Sequence, residues 1–230
     1  MNEKMVITID GPAASGKSSV GKLLAEELNF MFLDTGEMYR AVTWAVLNRG
    51  IAVENENQVS DLAETINIKI LPGSEEDSLR NYIFVDGKDI TELIRTNSVN
   101  DKVSQISKYK TVRHVLTRIQ QKIGSKGRII MAGRDIGTVV LPEADVKIFL
   151  KASADERAKR RFSEEKNKGK EISFSEVLEN VTMRDRIDSN RKIAPLIPAA
   201  DAHIIDTDKK SIQDVVNERM RIVKRLENSG

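Results

Sequence analysis

One eight-residue loop constrains this chain more than any other feature: Gly11-Pro12-Ala13-Ala14-Ser15-Gly16-Lys17-Ser18. It matches the G-x-x-x-x-G-K-[ST] spacing at every fixed position. A continuous apolar run, Met5 to Ile9, precedes it, as expected of a strand buried on both faces. Behind it Val20, Leu23, Leu24 and Leu28 fall at helical spacing. Strand, glycine loop and helix together predict an open α/β sheet with an anion site at the end of its first strand. The glycines let the backbone curl until successive N–H groups point inward. The helix that follows adds its positive end. Lys17 places a mobile charge on β- and γ-phosphates, and Ser18 offers a hydroxyl to Mg²⁺. The expected ligand is ATP·Mg²⁺, held by Gly11, Pro12, Ala13, Ala14, Ser15, Gly16, Lys17, Ser18 and Ser19.

The rest of the chain keeps the same alternation. Further strands are predicted at Phe30–Leu33, Arg128–Met131, Val146–Leu150 and Ala202–Ile205, with a helix from about Met38 to Asn48 that stops before Gly50. Such alternation predicts a parallel sheet covered by helices on both faces. Two stretches break it. Ile66 to Ile94 has antiparallel character, with Asp86-Gly87 as a two-residue hairpin turn. Ser153 to Lys192 reads as two charged helices around the loop Lys166 to Glu171. Ser153 with Glu156, and Ser173 with Glu176, each fit a capping box, and the charged tip fits a mobile lid. The expectation is one unit: a core at about 1–60, 101–152 and 193–230, an insert at about 61–100 and a lid at about 153–192.

Composition removes several alternatives. The 37 basic and 35 acidic residues nearly cancel, whereas binders of long nucleic acid carry a basic excess. Anions must then be gripped locally. The absence of cysteine excludes disulfides and thiolate chemistry. No run approaches the ~18–20 apolar residues of a membrane span, and no leader pattern is visible. A cytoplasmic monomer without membrane partners is expected. His114 and His203 stand alone and form neither a metal site nor an acid–base pair.

The question becomes where the arginines lie, since a planar guanidinium fork holds phosphate bidentately. Arg40 follows Asp34-Thr35-Gly36 at the carboxyl end of the second strand, where ligands bind in open sheets. Gly133-Arg134-Asp135-Ile136-Gly137 ends another strand. In the helix near Phe174, an apolar face of Phe174, Val177, Leu178 and Val181 continues into Arg184, Asp188 and Arg191. A stripe that only covered a core would stay apolar, so its second half should line a polar cleft; an exposed ion-pair ladder is the alternative. Arg157, Arg160 and Arg161 share a face of the first lid helix.

These blocks together resemble the bacterial cytidylate kinase family: Ile7-Thr8-Ile9-Asp10-Gly11-Pro12 with Ser15 to Ser18, Leu33-Asp34-Thr35-Gly36 with Tyr39-Arg40, Gly133 to Val140, and Arg184-Asp185-Arg186 with Asn190-Arg191 and Ala194-Pro195-Leu196. The resemblance runs from the first strand to Asp206. It implies a P-loop NTPase fold of the nucleoside monophosphate kinase type: a five-stranded parallel sheet with helices on both faces, a helical lid and an inserted small antiparallel sheet. It implies transfer of phosphate from ATP to CMP and dCMP. Carried over by residue, Thr35, Arg40 and Arg134 hold the acceptor phosphate. Ser104, Arg113 and Asp135 read cytosine. Arg184, Asp188 and Arg191 hold phosphate and sugar. Lys17, Arg134, Arg157, Arg161 and Arg184 form the catalytic set, and Ser18 with Asp34, through water, serves the metal. Competing readings are a uridylate or shikimate type of kinase, and a nucleotide switch. The last would want an N-K-x-D motif, and Asn167-Lys168-Gly169-Lys170 lacks its aspartate.

Overall fold

The computed structural model describes residues 4–73, 80–167 and 169–218. The expected insert, lid loop and outer core segments therefore lie partly outside the described residues. Five strands form a wholly parallel sheet: β1 (Val6–Asp10), β2 (Met31–Asp34), β6 (Ile129–Gly133), β7 (Val146–Lys151) and β8 (His203–Asp206), in the order β2-β6-β1-β7-β8. Pairing sets Ile7 beside Ile130 on one side and Val146 on the other. β1 and β6 therefore lie inside the sheet, which is why both are buried nearly throughout and mostly apolar, with Thr8 and Asp10 as buried polar exceptions on β1.

Each central strand feeds two cores by its period of two. On β6, Ile129 and Met131 face one core, and Ile130 and Ala132 the other. The second core packs α1 (Lys17–Leu28) through Val20, Leu24 and Leu28, and reaches Val215 and Val216 of α8, helical over 212–218. The first packs α2 (Gly36–Asn48), α3 (Glu56–Thr65), α4 (Asn97–Ile106) and α5 (Lys110–Gly124). Burying a side chain such as Ile7 or Ile130 stabilises by about 1.5–3 kcal/mol, so the centre of the sheet is the firmest platform for a site at its edge.

The insert is β3 (Ile68–Pro72), β4 (Asn81–Val85) and β5 (Lys88–Asp89), an antiparallel sheet. Asp86 and Gly87, at φ 50° and 82°, make the expected turn. Ile83, Val85, Ile90 and Ile94 join the first core, and Asn81 Nδ2 donates to the Phe32 carbonyl of edge strand β2 at 2.9 Å. The insert thus shares the main core.

The two charged helices are α6 (Ala154–Asn167) and α7 (Phe174–Asn190). They pack on a small core of their own, Ala158, Val177 and Val181, closed by the edge-to-face pair Phe162–Phe174. Ser173 and Glu176 form the full reciprocal capping box. The box expected at Ser153 is only half made. Its hydroxyl accepts from Glu156 N–H, but its own N–H donates to Asp208 at 3.0 Å, and Glu156 pairs with Arg160 instead. A nearby carboxylate outcompetes the local one.

Candidate active site

The loop after β1 bends sharply at Gly11. Its φ is +151°, and a Cβ there would lie 2.3 Å from the Leu150 carbonyl oxygen. Only glycine fits a backbone passing this close to β7. α1 starts at Lys17 with no side-chain cap, so its first N–H groups are available to an anion in front of them. Lys17 Nζ donates to the Pro12 carbonyl at 2.6 Å. Burial pushes the Lys17 ammonium well below its ordinary pKa, and the charge of Arg134 adds to this, while Asp34, Asp10 and Asp188 oppose it. Beside it Ser18 Oγ donates to Asp34 Oδ2 at 2.7 Å, and Asp34 Oδ1 accepts from Gly36 N–H at 2.9 Å. A hydroxyl and a carboxylate in contact are hard oxygen donors that fit a small divalent cation.

A cleft of about 830 Å³ is lined by this loop and by two groups of residues. One group includes Arg160, Thr207 and Ile212. The other includes Arg40, Arg134, Arg184, Ser104 and Arg113. In that second group cations outnumber their immediate counter-charges. Burial, then Arg134 and Arg40, push Arg184 down to about 10, against the pull of Asp188. Its Nε is buried without a hydrogen-bond partner. Arg40 is likewise lowered, chiefly by burial, with Arg134 and Arg161 contributing; its Nε donates to Asn100 at 3.2 Å. Guanidiniums that depress one another line a site suited to an anion.

Carboxylates organise this group. Arg134 Nε donates to Asp188 Oδ2 at 2.7 Å. Asp135 sits between two guanidiniums, Arg113 at 2.6 Å on Oδ2 and Arg191 at 3.1 Å on Oδ1. Arg113 also lies over the Tyr39 ring, 5.4 Å from its centroid, and burial pushes the Tyr39 hydroxyl up to about 12. Each carboxylate here holds a guanidinium, and the network lines the same cleft as the phosphate loop.

Sequence similarity identifies this machinery. Residues 7–225 match the family model for cytidylate kinase. The chain belongs to the cytidylate kinase family. The cytidylate kinase of Carboxydothermus hydrogenoformans is 48% identical over 221 residues, covering 96% of this chain and 98% of that one. That of Bacillus subtilis is 42% identical over 225 residues, covering 98% and 99%. A solved structure of an uncharacterized protein from Eubacterium ventriosum superposes with a TM-score of 0.53 at 12% identity, covering 96% of this chain and 99% of that one; this likeness concerns the fold alone. The protein is a kinase, an enzyme of phosphoryl transfer.

Most residues expected from the sequence of this cytidylate kinase family member line the one cleft, from Ala13 to Ser19, then Asp34, Thr35, Arg40, Ser104, Arg113, Arg134, Asp135, Arg161, Arg184, Asp188 and Arg191. Gly11 and Pro12 form the bend behind it. Thr35 Oγ1 donates to the Ala132 carbonyl at 3.0 Å. Arg157 is placed differently. It is 4% exposed and does not line the cleft; it donates to the Ala13 and Ala152 carbonyls at 3.1 and 3.0 Å and grips Asp185 with both terminal nitrogens. Arg161 pairs with Glu165 at 2.8 Å. The sequence reading missed Thr207, although it follows β8 at the same carboxyl edge that flagged Arg40. It also missed Asn100, which carries no motif.

Proposed function

We propose that this kinase transfers the γ-phosphoryl group of ATP to CMP and dCMP, forming ADP with CDP or dCDP. What carries the reading is the meeting, in one cleft, of the phosphate loop with a second cation cluster whose Arg184 Nε is buried and unpaired. Membership of the cytidylate kinase family supports cytidylate as the acceptor.

In this reading ATP lies along the loop and toward Thr207. The N–H groups of the α1 start and Lys17 take the β- and γ-phosphates. Ser18, with Asp34 through water, would hold Mg²⁺, which supplies charge neutralisation for the triphosphate when bound. Arg40, Arg134 and Arg184 hold the acceptor phosphate, and Thr35 lines its seat. Ser104, Arg113 and Asp135 meet the cytosine edge. Asp135 uses one lone pair of each oxygen on an arginine and keeps others for an exocyclic amine. Asp188 and Arg191 face the sugar.

The acceptor's phosphate oxygen already carries negative charge and attacks the γ-phosphorus directly. The bond to the β–γ bridging oxygen breaks, and its electron pair leaves with ADP. Little base catalysis is required, so alignment and electrostatic stabilisation carry the rate. Arg161 and Arg184 stabilise charge on the transferring group. Arg157, committed to Ala13 and Asp185, serves catalysis by bracing the loop against the two lid helices. Closure of the α6–α7 hairpin excludes water and spares ATP from hydrolysis. Chromatography of products from ATP and CMP tests the reading: CDP and ADP should appear in equal amounts, and ADP without CDP would overturn it.

A further inference from the structure

Asp10 is the last residue of β1 and immediately precedes the phosphate loop. It is 4% exposed. Its Oδ1 accepts from Ile136 N–H at 2.8 Å and its Oδ2 from Gly137 N–H at 2.7 Å. These amides open the π-helical turn Ile136–Val140, which directly follows Arg134 and Asp135. The turn is pressed against β1: a Cβ on Gly137 would lie 2.9 Å from Thr8 Oγ1 and 3.4 Å from Asp10 Oδ2. Two charge-assisted bonds to successive amides fix both the place and the orientation of a turn. None of the chemistry above uses Asp10, and a carboxylate is costly to keep this deep.

We propose that Asp10 is a positioning residue for the acceptor end of the cleft: anchored on the strand that carries the phosphate loop, it holds the turn after β6 so that Arg134 and Asp135 face Lys17. The proposal rests on the reading of Arg134 and Asp135 as acceptor contacts. It makes the spacing between donor and acceptor grips a property of one buried carboxylate. A misplacement of about 1 Å in such a spacing can cost on the order of 10² in rate.

The charged groups around Asp10 are few. Lys17 faces it from α1 and Asp135 from the turn. Lys147 passes nearby on β7, but its ammonium is committed to Asp201 at 2.8 Å. Burial pushes the Asp10 carboxyl up to about 6, against the two amide bonds; Asp135 adds to the rise and Lys17 opposes it. Protonation would turn one acceptor oxygen into a donor facing an N–H.

The test is Asp10→Asn, which keeps the size and one acceptor oxygen. KM for CMP should rise and kcat fall by about tenfold or more each, with KM for ATP changed less than about threefold. In the wild-type enzyme the Ile136 and Gly137 amide resonances should move together through a transition near pH 6, and this transition should vanish in the variant. Kinetic constants for CMP within about twofold of wild type would overturn the proposal. If Asp10→Asn does not fold, Asp10→Glu, which keeps the charge but moves the carboxylate, is read by the same constants, and values within about twofold of wild type overturn the proposal. If the wild-type enzyme makes no CDP, the acceptor reading fails, and hydrogen exchange of the Ile136 and Gly137 amides, faster in Asp10→Asn than in wild type, still decides whether Asp10 holds the turn.

Discussion

Arg134 Nε donates to Asp188 Oδ2 at 2.7 Å, tying the loop after β6 to the inward face of α7. Burial works against both charges, yet the pairing holds Asp188 below the usual carboxylate range and Arg134 above its usual value. Removing one partner strands the other. Asp188→Ala should cost about 3 kcal/mol of stability, and Arg134→Ala/Asp188→Ala should lose less than the two single variants summed. Urea unfolding of the four proteins measures this. Strict additivity would mean that the pair is not coupled.

Lys17 is held by the Pro12 carbonyl in a buried position beside Arg134. Arg134 lies close enough to depress its pKa, and Arg157 is committed to the Ala13 carbonyl and Asp185. Lys17→Ala should lower kcat by about 10²-fold or more, as for other single groups that stabilise a transition state. The circular dichroism spectrum should stay that of the wild type. A kcat near normal would remove Lys17 from the mechanism.

Arg184 carries an unpaired buried Nε in a ring of like charges. Its substitution relieves repulsion in the free enzyme and removes grip in the complex. Arg184→Ala should therefore raise KM for CMP and lower kcat together, while leaving stability unchanged or slightly higher. An unchanged KM for CMP would return this helix face to an ion-pair ladder without a ligand.

The sequence makes the phosphate loop and the α7 stripe legible because both are local patterns. The loop has fixed spacing, and the stripe changes from Val181 to Arg184 within one turn, which a core-covering face has no reason to do. The turn Asp86-Gly87 and the cap at Ser173 are legible for the same reason. What fails to show is decided by partners far along the chain. Ser153 loses half its capping box to Asp208. Arg157 shares a helix face with Arg160 and Arg161, yet only folding brings Ala13 and Asp185 within its reach. Asp10 reads as the end of an apolar strand, and its two amide donors lie more than 120 residues away.

The raised Asp10 pKa makes a signed prediction about stability. The folded chain binds this proton more tightly, at about 6, than an ordinary aspartate at 3.8. The wild-type enzyme should therefore gain stability relative to Asp10→Asn as pH falls from 7 to 4. That relative gain is present in full below the unfolded value and is lost as pH rises through 6. About two pKa units correspond to about 3 kcal/mol. Unfolding free energies of the two proteins across this range measure it, and a difference that does not change with pH would contradict it.

In the proposed function the cleft between Lys17 and the Asp135 clamp receives cytidylate. Competition between CMP and UMP for the wild-type enzyme, with ATP saturating, gives the ratio of their kcat/KM values directly. A carboxylate placed to accept from an exocyclic amine should favour CMP by about tenfold or more, and Asp135→Asn should shrink that preference. Equal or faster use of UMP by the wild-type enzyme would contradict the assignment.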